Sequence, residues 1–227
     1  MSDHYYNNQL YPLQDKVLQL IGKTHSDFYL TGGTLLSRYL LHHRYSDDLD
    51  LFMNADLKFS EKVDLAIQSV LETFPKVEVS SRQEAYARYF VMEGNLKLKV
   101  EFINDVKYRV GIPIQTESGL LLDTWENVLS NKVTALSRFA AKDFIDILFI
   151  SFRFPFNWEL IIDEARQKDA SINEIEVSER LMNFDLSQLK DVIFPSDFST
   201  DKITREYFEI LARESLHGFD NSLAGKV

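Results

Sequence analysis

The chain has 227 residues, 45% of them hydrophobic, which suits one large globular domain or two smaller ones with separate cores. It has no cysteine, which excludes disulfides, zinc ribbons and thiol catalysis, and its five histidines offer no spaced metal set beyond the adjacent His42-His43, so any bound metal must rest on carboxylates. The formal net charge of −10 argues against a nonspecific nucleic-acid coat, which needs many Lys and Arg contacts to phosphate.

Along the chain, Pro12 to Lys23 reads as an amphipathic helix with Leu13, Val17, Leu20 and Ile21 on one side. Phe28-Tyr29-Leu30 suits a strand and Leu35 to Leu41 a helix, so Gly32 and Gly33 fall where a strand turns into a helix. A strand over Asp48 to Phe52 follows, then a helix from Glu61 to Phe74 with Ser60 as N-cap and Pro75 as its stop. Val77 to Ser80, Arg88 to Met92 and Leu96 to Ile103 read as strands, the last two joined by a hairpin turn at Glu93-Gly94-Asn95. From Asp123, a candidate cap for a helix to about Phe139, the pattern is helical, with further helices near 142–152, 157–169, 173–183 and 201–215. The final Asn221 to Val227 is expected to be a loose tail.

These elements predict an α+β fold: a mixed β-sheet with helices over residues 1–115, then a helical C-terminal domain over 116–227, with the junction in the turn-rich stretch Val110 to Gly119. The acidic excess is uneven. Residues 1–115 carry 13 Lys+Arg against 15 Asp+Glu, and residues 116–227 carry 12 against 20. There is no basic-then-apolar N-terminal segment, and the longest nearly apolar run, Phe144 to Phe152, is interrupted by Asp146 and too short to span a bilayer, so a cytoplasmic protein with no membrane partner is expected.

Thr31-Gly32-Gly33-Thr34 is the first element with chemistry: a glycine turn at a helix start exposes N–H groups suited to an anion. It is neither a Walker loop nor a dinucleotide fingerprint. In Asp47-Asp48-Leu49-Asp50-Leu51-Phe52, strand alternation puts Asp48 and Asp50 on one face, about 7 Å apart, where they can share hard cations. Together the two suggest a protein that binds a nucleoside triphosphate through magnesium. Arg44 and Ser46 just upstream offer a cation and a hydroxyl to phosphate oxygens. Two-metal phosphoryl-type chemistry needs a third carboxylate on a neighbouring strand as ligand and proton acceptor, and Glu101 is the candidate. Lys97 and Lys99 share its face, so a plain salt bridge is the competing reading.

In the helical half, Asp143 and Asp146 lie in a helix apolar around most of its circumference and must find partners if buried. Lys142 could pair with Asp146, and Lys132 or Arg138 with Asp143, giving an interhelical ion network. Lys132 and Lys142 are also the cations a triphosphate would need opposite the metal-bound side.

Thr31-Gly32-Gly33-Thr34, Arg44 to Phe52, and Lys132 to Arg138 followed by Lys142 to Ile147 occur together in that order over roughly Tyr29 to Ser151, and in this the chain resembles the AbiEii/AbiGii toxin family of DNA polymerase beta-like nucleotidyltransferases. The resemblance implies a minimal nucleotidyltransferase core, a helical half that closes the nucleotide cleft, a triphosphate on the Gly-Gly-Thr turn, two magnesium ions on Asp48 and Asp50, nucleotide contact by Lys132, and an active-site position for Asp143. Glu101 stands where the superfamily commonly has aspartate, and Gly-Gly-Thr where it usually has Gly-Ser. The expected activity is magnesium-dependent transfer of NMP from an NTP to an acceptor hydroxyl, with tRNA or another RNA as acceptor and a cognate antitoxin as partner. Two alternatives stay open: a non-catalytic nucleotide- or antitoxin-binding module on a degenerate fold, and adenylylation of a small cationic molecule of the aminoglycoside type.

Overall fold

The computed structural model describes residues 3–226, which divide into two compact units. The first comprises the residues up to Leu35, Tyr45–Lys107 and Ile112–Thr124; the second comprises Leu36–Arg44, Tyr108–Gly111 and the residues from Trp125 onward.

The first unit holds the sheet. Its N-terminal elements are a short turn of helix, α1 (Asp3–Tyr5), the wider π-helical Tyr6–Leu10, and α2 (Tyr11–Gly22), which buries Leu13, Val17, Leu18 and Ile21 as the apolar spacing requires. They lead to β1 (Tyr29–Thr31), the single turn α3 (Gly32–Leu35) and β2 (Leu49–Asn54). Then come α4 (Phe59–Leu71), β3 (Val77–Arg82), β4 (Tyr86–Glu93), β5 (Leu96–Asp105), β6 (Ile114–Gln115) and β7 (Leu121–Leu122). The seven strands lie in the order β3-β4-β5-β2-β1-β7-β6. The sheet is mixed: β2 runs parallel to β5 and β1 parallel to β7, while the remaining neighbours are antiparallel. The two-residue turn at Gly94-Asn95, with Gly94 at φ +59°, sets the β4–β5 register, pairing Glu93 with Leu96.

The alternation in β2 and β5 follows the sequence. Leu49, Leu51 and Met53 are buried, as are Leu98, Val100 and Phe102, and the intervening Asp50, Lys99 and Glu101 lie on the opposite, half-exposed face. The two dipeptide strands β6 and β7 were not expected. They carry the first unit past the turn-rich stretch, to Thr124, because Leu121-Leu122 pairs with Tyr29-Leu30.

The second unit is helical: π-helical Leu36–Leu40, α5 (Trp125–Ala135) with a 3₁₀ turn to Arg138, α6 (Ala141–Arg153), α7 (Trp158–Lys168), α8 (Glu174–Met182) and α9 (Arg205–His217), with 3₁₀ turns at Leu186–Asp191 and Thr200–Lys202. Asn157 and Asn173 cap α7 and α8 by accepting the backbone N–H groups of Leu160 and Glu176. No helix among the described residues is long and apolar enough to cross a membrane.

Three local expectations are corrected. Ser60 is not an N-cap; α4 starts at Phe59, Asp56 accepts the Lys58 N–H at 2.7 Å, and the Ser60 hydroxyl accepts a bond from Arg82. Asp123 does not begin its helix either, because its buried carboxylate accepts the Thr31 hydroxyl at 2.6 Å and α5 starts at Trp125. The end of the chain is not a loose tail. Asn221 and Leu223 are buried, and the Asn221 amide donates to the Ser151 and Phe154 carbonyls at 2.7 and 2.8 Å; Val227 lies outside the described residues.

Candidate active site

In the first unit the parallel pairing of β2 and β5 sets Asp50 directly opposite Glu101 and Leu49 opposite Val100. Asp48, one residue before β2, is joined to the same cluster by Lys99, whose Nζ lies 2.8 Å from the Asp48 carboxylate and 2.7 Å from that of Glu101. Arg88, paired across the antiparallel β4–β5 ladder with Glu101, donates to it at 2.9 Å, and the Tyr86 hydroxyl donates to the same oxygen. Burial by itself would raise the Glu101 carboxyl, but Lys99, Tyr86 and Arg88 hold it down to about 2. Burial acts against the Lys99 ammonium too, yet its bonds to Asp48 and Glu101 keep it above its ordinary value.

The glycine turn adjoins this cluster. Thr31 pairs with Asp50 across β1 and β2, and Gly32 adopts φ +67° with no room for a side chain, since a Cβ there would stand 2.8 Å from Asp50 Oδ2. Gly33 and Thr34 are buried in the single turn of α3. A turn this short has little macrodipole, so whatever anion affinity the segment has rests on its backbone N–H groups. The Thr34 hydroxyl is committed to the Asp48 carbonyl and to the Ser46 hydroxyl, the latter at 2.9 Å.

The remaining expected site residues lie in the second unit, where the ion network forms. Asp146 is fully buried and accepts from Arg44 Nε and Nη2 at 2.7 and 2.8 Å, from His43 Nε2 at 2.8 Å and from Lys132 Nζ at 2.7 Å. Asp143, equally buried, takes Lys132 at 2.7 Å and Arg138 at 2.6 Å. Burial would raise both carboxyls; Arg44 and Lys132 around Asp146, and Lys132 and Arg138 around Asp143, outweigh it and hold both below the usual carboxylate range. Lys132 is kept charged against its burial by Asp146 and Asp143. For His43 burial prevails over its bond to Asp146, so the ring is held neutral and its pKa lies below 6.5.

This changes the reading of two cations. Arg44, 5% exposed, has its guanidinium fork spent on Asp146, and Lys132, also 5% exposed, is spent on both aspartates, so in this arrangement neither is presented to a phosphate. The expected Lys142–Asp146 pair gives way to these partners, and Lys142 is exposed. Arg138, a member of the network that is over half exposed, and its neighbour Lys142 face solvent. The sequence reading missed His43 as a member, and Tyr86 and Arg88 around Glu101. Arg88 was within reach: a two-residue turn at Gly94-Asn95 dictates that it face Glu101.

The carboxylate cluster offers only oxygen donors, as a hard divalent cation prefers, and an ammonium already stands between two of its members. The donor set therefore fits magnesium, provided Lys99 yields its place. Among the described residues no group of three or more His, Asp and Glu is already gathered closely enough to hold a metal ion, consistent with Lys99 holding Asp48 and Glu101.

The family model for the nucleotidyl transferase AbiEii toxin of type IV toxin–antitoxin systems matches residues 20–224. Among solved structures, the chain is similar to JHP933 from Helicobacter pylori, at 16% identity and a TM-score of 0.60 over 96% of this chain and 94% of that one. It is also similar to a candidate nucleotidyltransferase from H. pylori, at 17% identity and a TM-score of 0.57 over 96% of each chain. At these identities the likeness establishes the fold. No curated protein matches the chain.

Replacing Gly32 by Ala is expected to cost about 1–3 kcal/mol through strain at positive φ and the contact with Asp50, read as a lowered midpoint in urea. Asp146→Asn, which leaves the buried Arg44 without its counter-charge and Lys132 with Asp143 alone, should cost about 3–5 kcal/mol, read as a lowered midpoint in urea. Because the His43 pKa is lowered in the fold, its contribution to stability is complete above about 6.5 and is lost as pH falls from there through the folded value. Thermal melts of His43→Gln should therefore lose less stability between pH 7 and pH 5 than wild type; equal losses would remove His43 as the source.

Proposed function

The chain belongs to the AbiEii family of nucleotidyl transferase toxins of type IV toxin–antitoxin systems, which makes it a nucleotidyltransferase with an antitoxin as counterpart, and from that premise we propose that Asp48, Asp50 and Glu101 form its catalytic carboxylate set. In this reading the protein moves a nucleoside monophosphate from an NTP to an acceptor hydroxyl: the hydroxyl oxygen bonds to the α-phosphorus as its proton passes to Glu101 or to water, the bond to the bridging oxygen breaks, and pyrophosphate leaves. The observation that carries it is the in-register facing of Asp50 and Glu101 on parallel strands, beside a glycine turn that approaches Asp50 within a Cβ's reach.

Two magnesium ions on these residues would supply positive charge to the triphosphate and to the attacking hydroxyl. Asp48 and Asp50 would hold both and Glu101 would complete one site. The depressed carboxyl of Glu101 suits that role, since it stays ionised throughout the working pH range, but makes it a weaker proton acceptor than sequence reasoning alone implied. Gly32 and Gly33 would receive phosphate oxygens on their backbone N–H groups, and Ser46 would add a hydroxyl. Lys99, displaced from Asp48 and Glu101, would remain as a cation at the cluster. Lys132 and Asp143 would act through the network they share with Arg138, and Lys142 and Arg138, both exposed, would be open to an anion from solvent.

An RNA acceptor, in particular a tRNA 3′ end, is the assignment carried over from the family resemblance. The acidic balance of residues 116–227 favours a second reading, a small polycationic acceptor. The degenerate, non-catalytic reading is disfavoured because all three carboxylates are present and clustered. Incubation with each α-labelled NTP and total RNA should label a tRNA-sized band, and a labelled aminoglycoside with no labelled RNA would favour the second reading. Asp50→Asn should lose transfer by at least about 100-fold while keeping its fold by circular dichroism; retained transfer would overturn the carboxylate assignment.

A further inference from the structure

We propose that Tyr6, Tyr11 and Gln14, which precede the family match at residue 20, are positioning residues that fix Asp48 relative to Asp50. The inference deepens the proposed carboxylate site and rests on that reading.

The segment Tyr45–Asp48 delivers the first carboxylate but belongs to no strand or helix, so its backbone polar groups must find partners elsewhere. Side chains provide them. The Ser46 N–H donates to the Tyr11 hydroxyl at 3.3 Å, and Gln14 Nε2 donates to the carbonyls of Ser46 at 3.1 Å and Asp47 at 3.2 Å. The Asp48 carbonyl is met by Thr34. Two contacts fasten the side chains of the same segment: the Tyr6 hydroxyl donates to Asp47 Oδ1 at 2.8 Å, and the Tyr6 ring stacks on Tyr45 at 4.1 Å with planes 4° apart. Three of the side chains that hold this run, Tyr6, Tyr11 and Gln14, thus come from residues 6–14.

Ordinary packing does not need this arrangement. α2 already anchors itself through Leu13, Val17, Leu18 and Ile21, whereas Gln14 and Tyr6 are wholly buried and place polar atoms where they must be hydrogen-bonded or cost stability. A buried amide that bridges two successive carbonyls fixes position more than it adds stability. Magnesium imposes the need for it, since it demands near-octahedral oxygen geometry within a few tenths of an ångström, and Asp48 stands outside the ladder that fixes Asp50 and Glu101.

The test compares full-length wild type, Gln14→Met, Tyr6→Phe, Leu18→Ala and Asp50→Asn by calorimetric titration with magnesium and by kcat and KM for the NTP. Gln14→Met should weaken magnesium binding about 10-fold and lower kcat at least about 10-fold, with KM for the NTP changed by less than about 3-fold. Tyr6→Phe, which removes only the bond to Asp47, should shift both in the same direction by about 3-fold and carries the test if Gln14→Met does not fold. Leu18→Ala, a cavity on the same helix, should lower Tm yet leave magnesium affinity and kcat within about 2-fold. If Asp50→Asn loses magnesium while Gln14→Met or Tyr6→Phe keeps both magnesium affinity and kcat, the positioning role is overturned and the carboxylate site stands. If Asp50→Asn binds magnesium like wild type, the carboxylate reading has failed and the positioning role falls with it. Equal losses in Leu18→Ala and Gln14→Met would reduce Gln14 to a packing residue.

Discussion

The parallel pairing of β2 with β5 forces Asp50 and Glu101 to face each other on one side of the sheet, with Asp48 close by. Three carboxylates gathered this way repel, and the chain meets the repulsion with Lys99, which touches Asp48 and Glu101 at once, and Arg88, which touches Glu101. In the proposed reading a divalent cation would replace the Lys99 ammonium and draw the carboxylate oxygens around itself. The surrounding features serve this face. The buried Leu49, Leu51, Val100 and Phe102 anchor the two strands from behind, Gly32 leaves room for the Asp50 carboxylate, and Thr34 holds the Asp48 carbonyl.

The second unit solves a different electrostatic problem. Asp143 and Asp146 sit in the apolar α6 and would be intolerable alone; Arg44, Lys132, His43 and Arg138 surround them so that each of the four carboxylate oxygens has a charged or ring N–H donor. Such networks are weak sources of net stability but strong determinants of a single arrangement, since removal of one member strands the others in a low dielectric. Its members include two of the residues that resemblance marks as functional, Lys132 and Asp143. The network therefore holds Lys132 and Asp143 in fixed geometry and leaves Arg138 as its solvent-facing edge.

Much of this was legible in the chain. Period-two alternation located β2 and β5, the Gly94-Asn95 turn fixed the hairpin, and the three motifs in order pointed to the family. What escaped has physical causes. β6 and β7 are two residues each, too short for a periodic signal, and exist because β1 offers an edge. Ser60 and Asp123 have the chemistry of helix caps, but Arg82 and Thr31, distant in sequence, claim them. His43 and Arg44 joined the network by contacts 103 and 102 residues away, which no local pattern announces. Asn221 looked like tail because the two carbonyls its amide caps lie in and just beyond α6.

Lys99, between Asp48 and Glu101, would guard the proposed metal-nucleotide site of Asp48, Asp50 and Glu101 until metal binds. A crystal structure of the protein with manganese, as a stand-in for magnesium, and a non-hydrolysable NTP tests it most directly. Anomalous density should bridge Asp48 and Asp50, with Glu101 within coordination distance of one ion and the Lys99 ammonium moved off Asp48. Manganese bound elsewhere, with Lys99 still between Asp48 and Glu101, would contradict it.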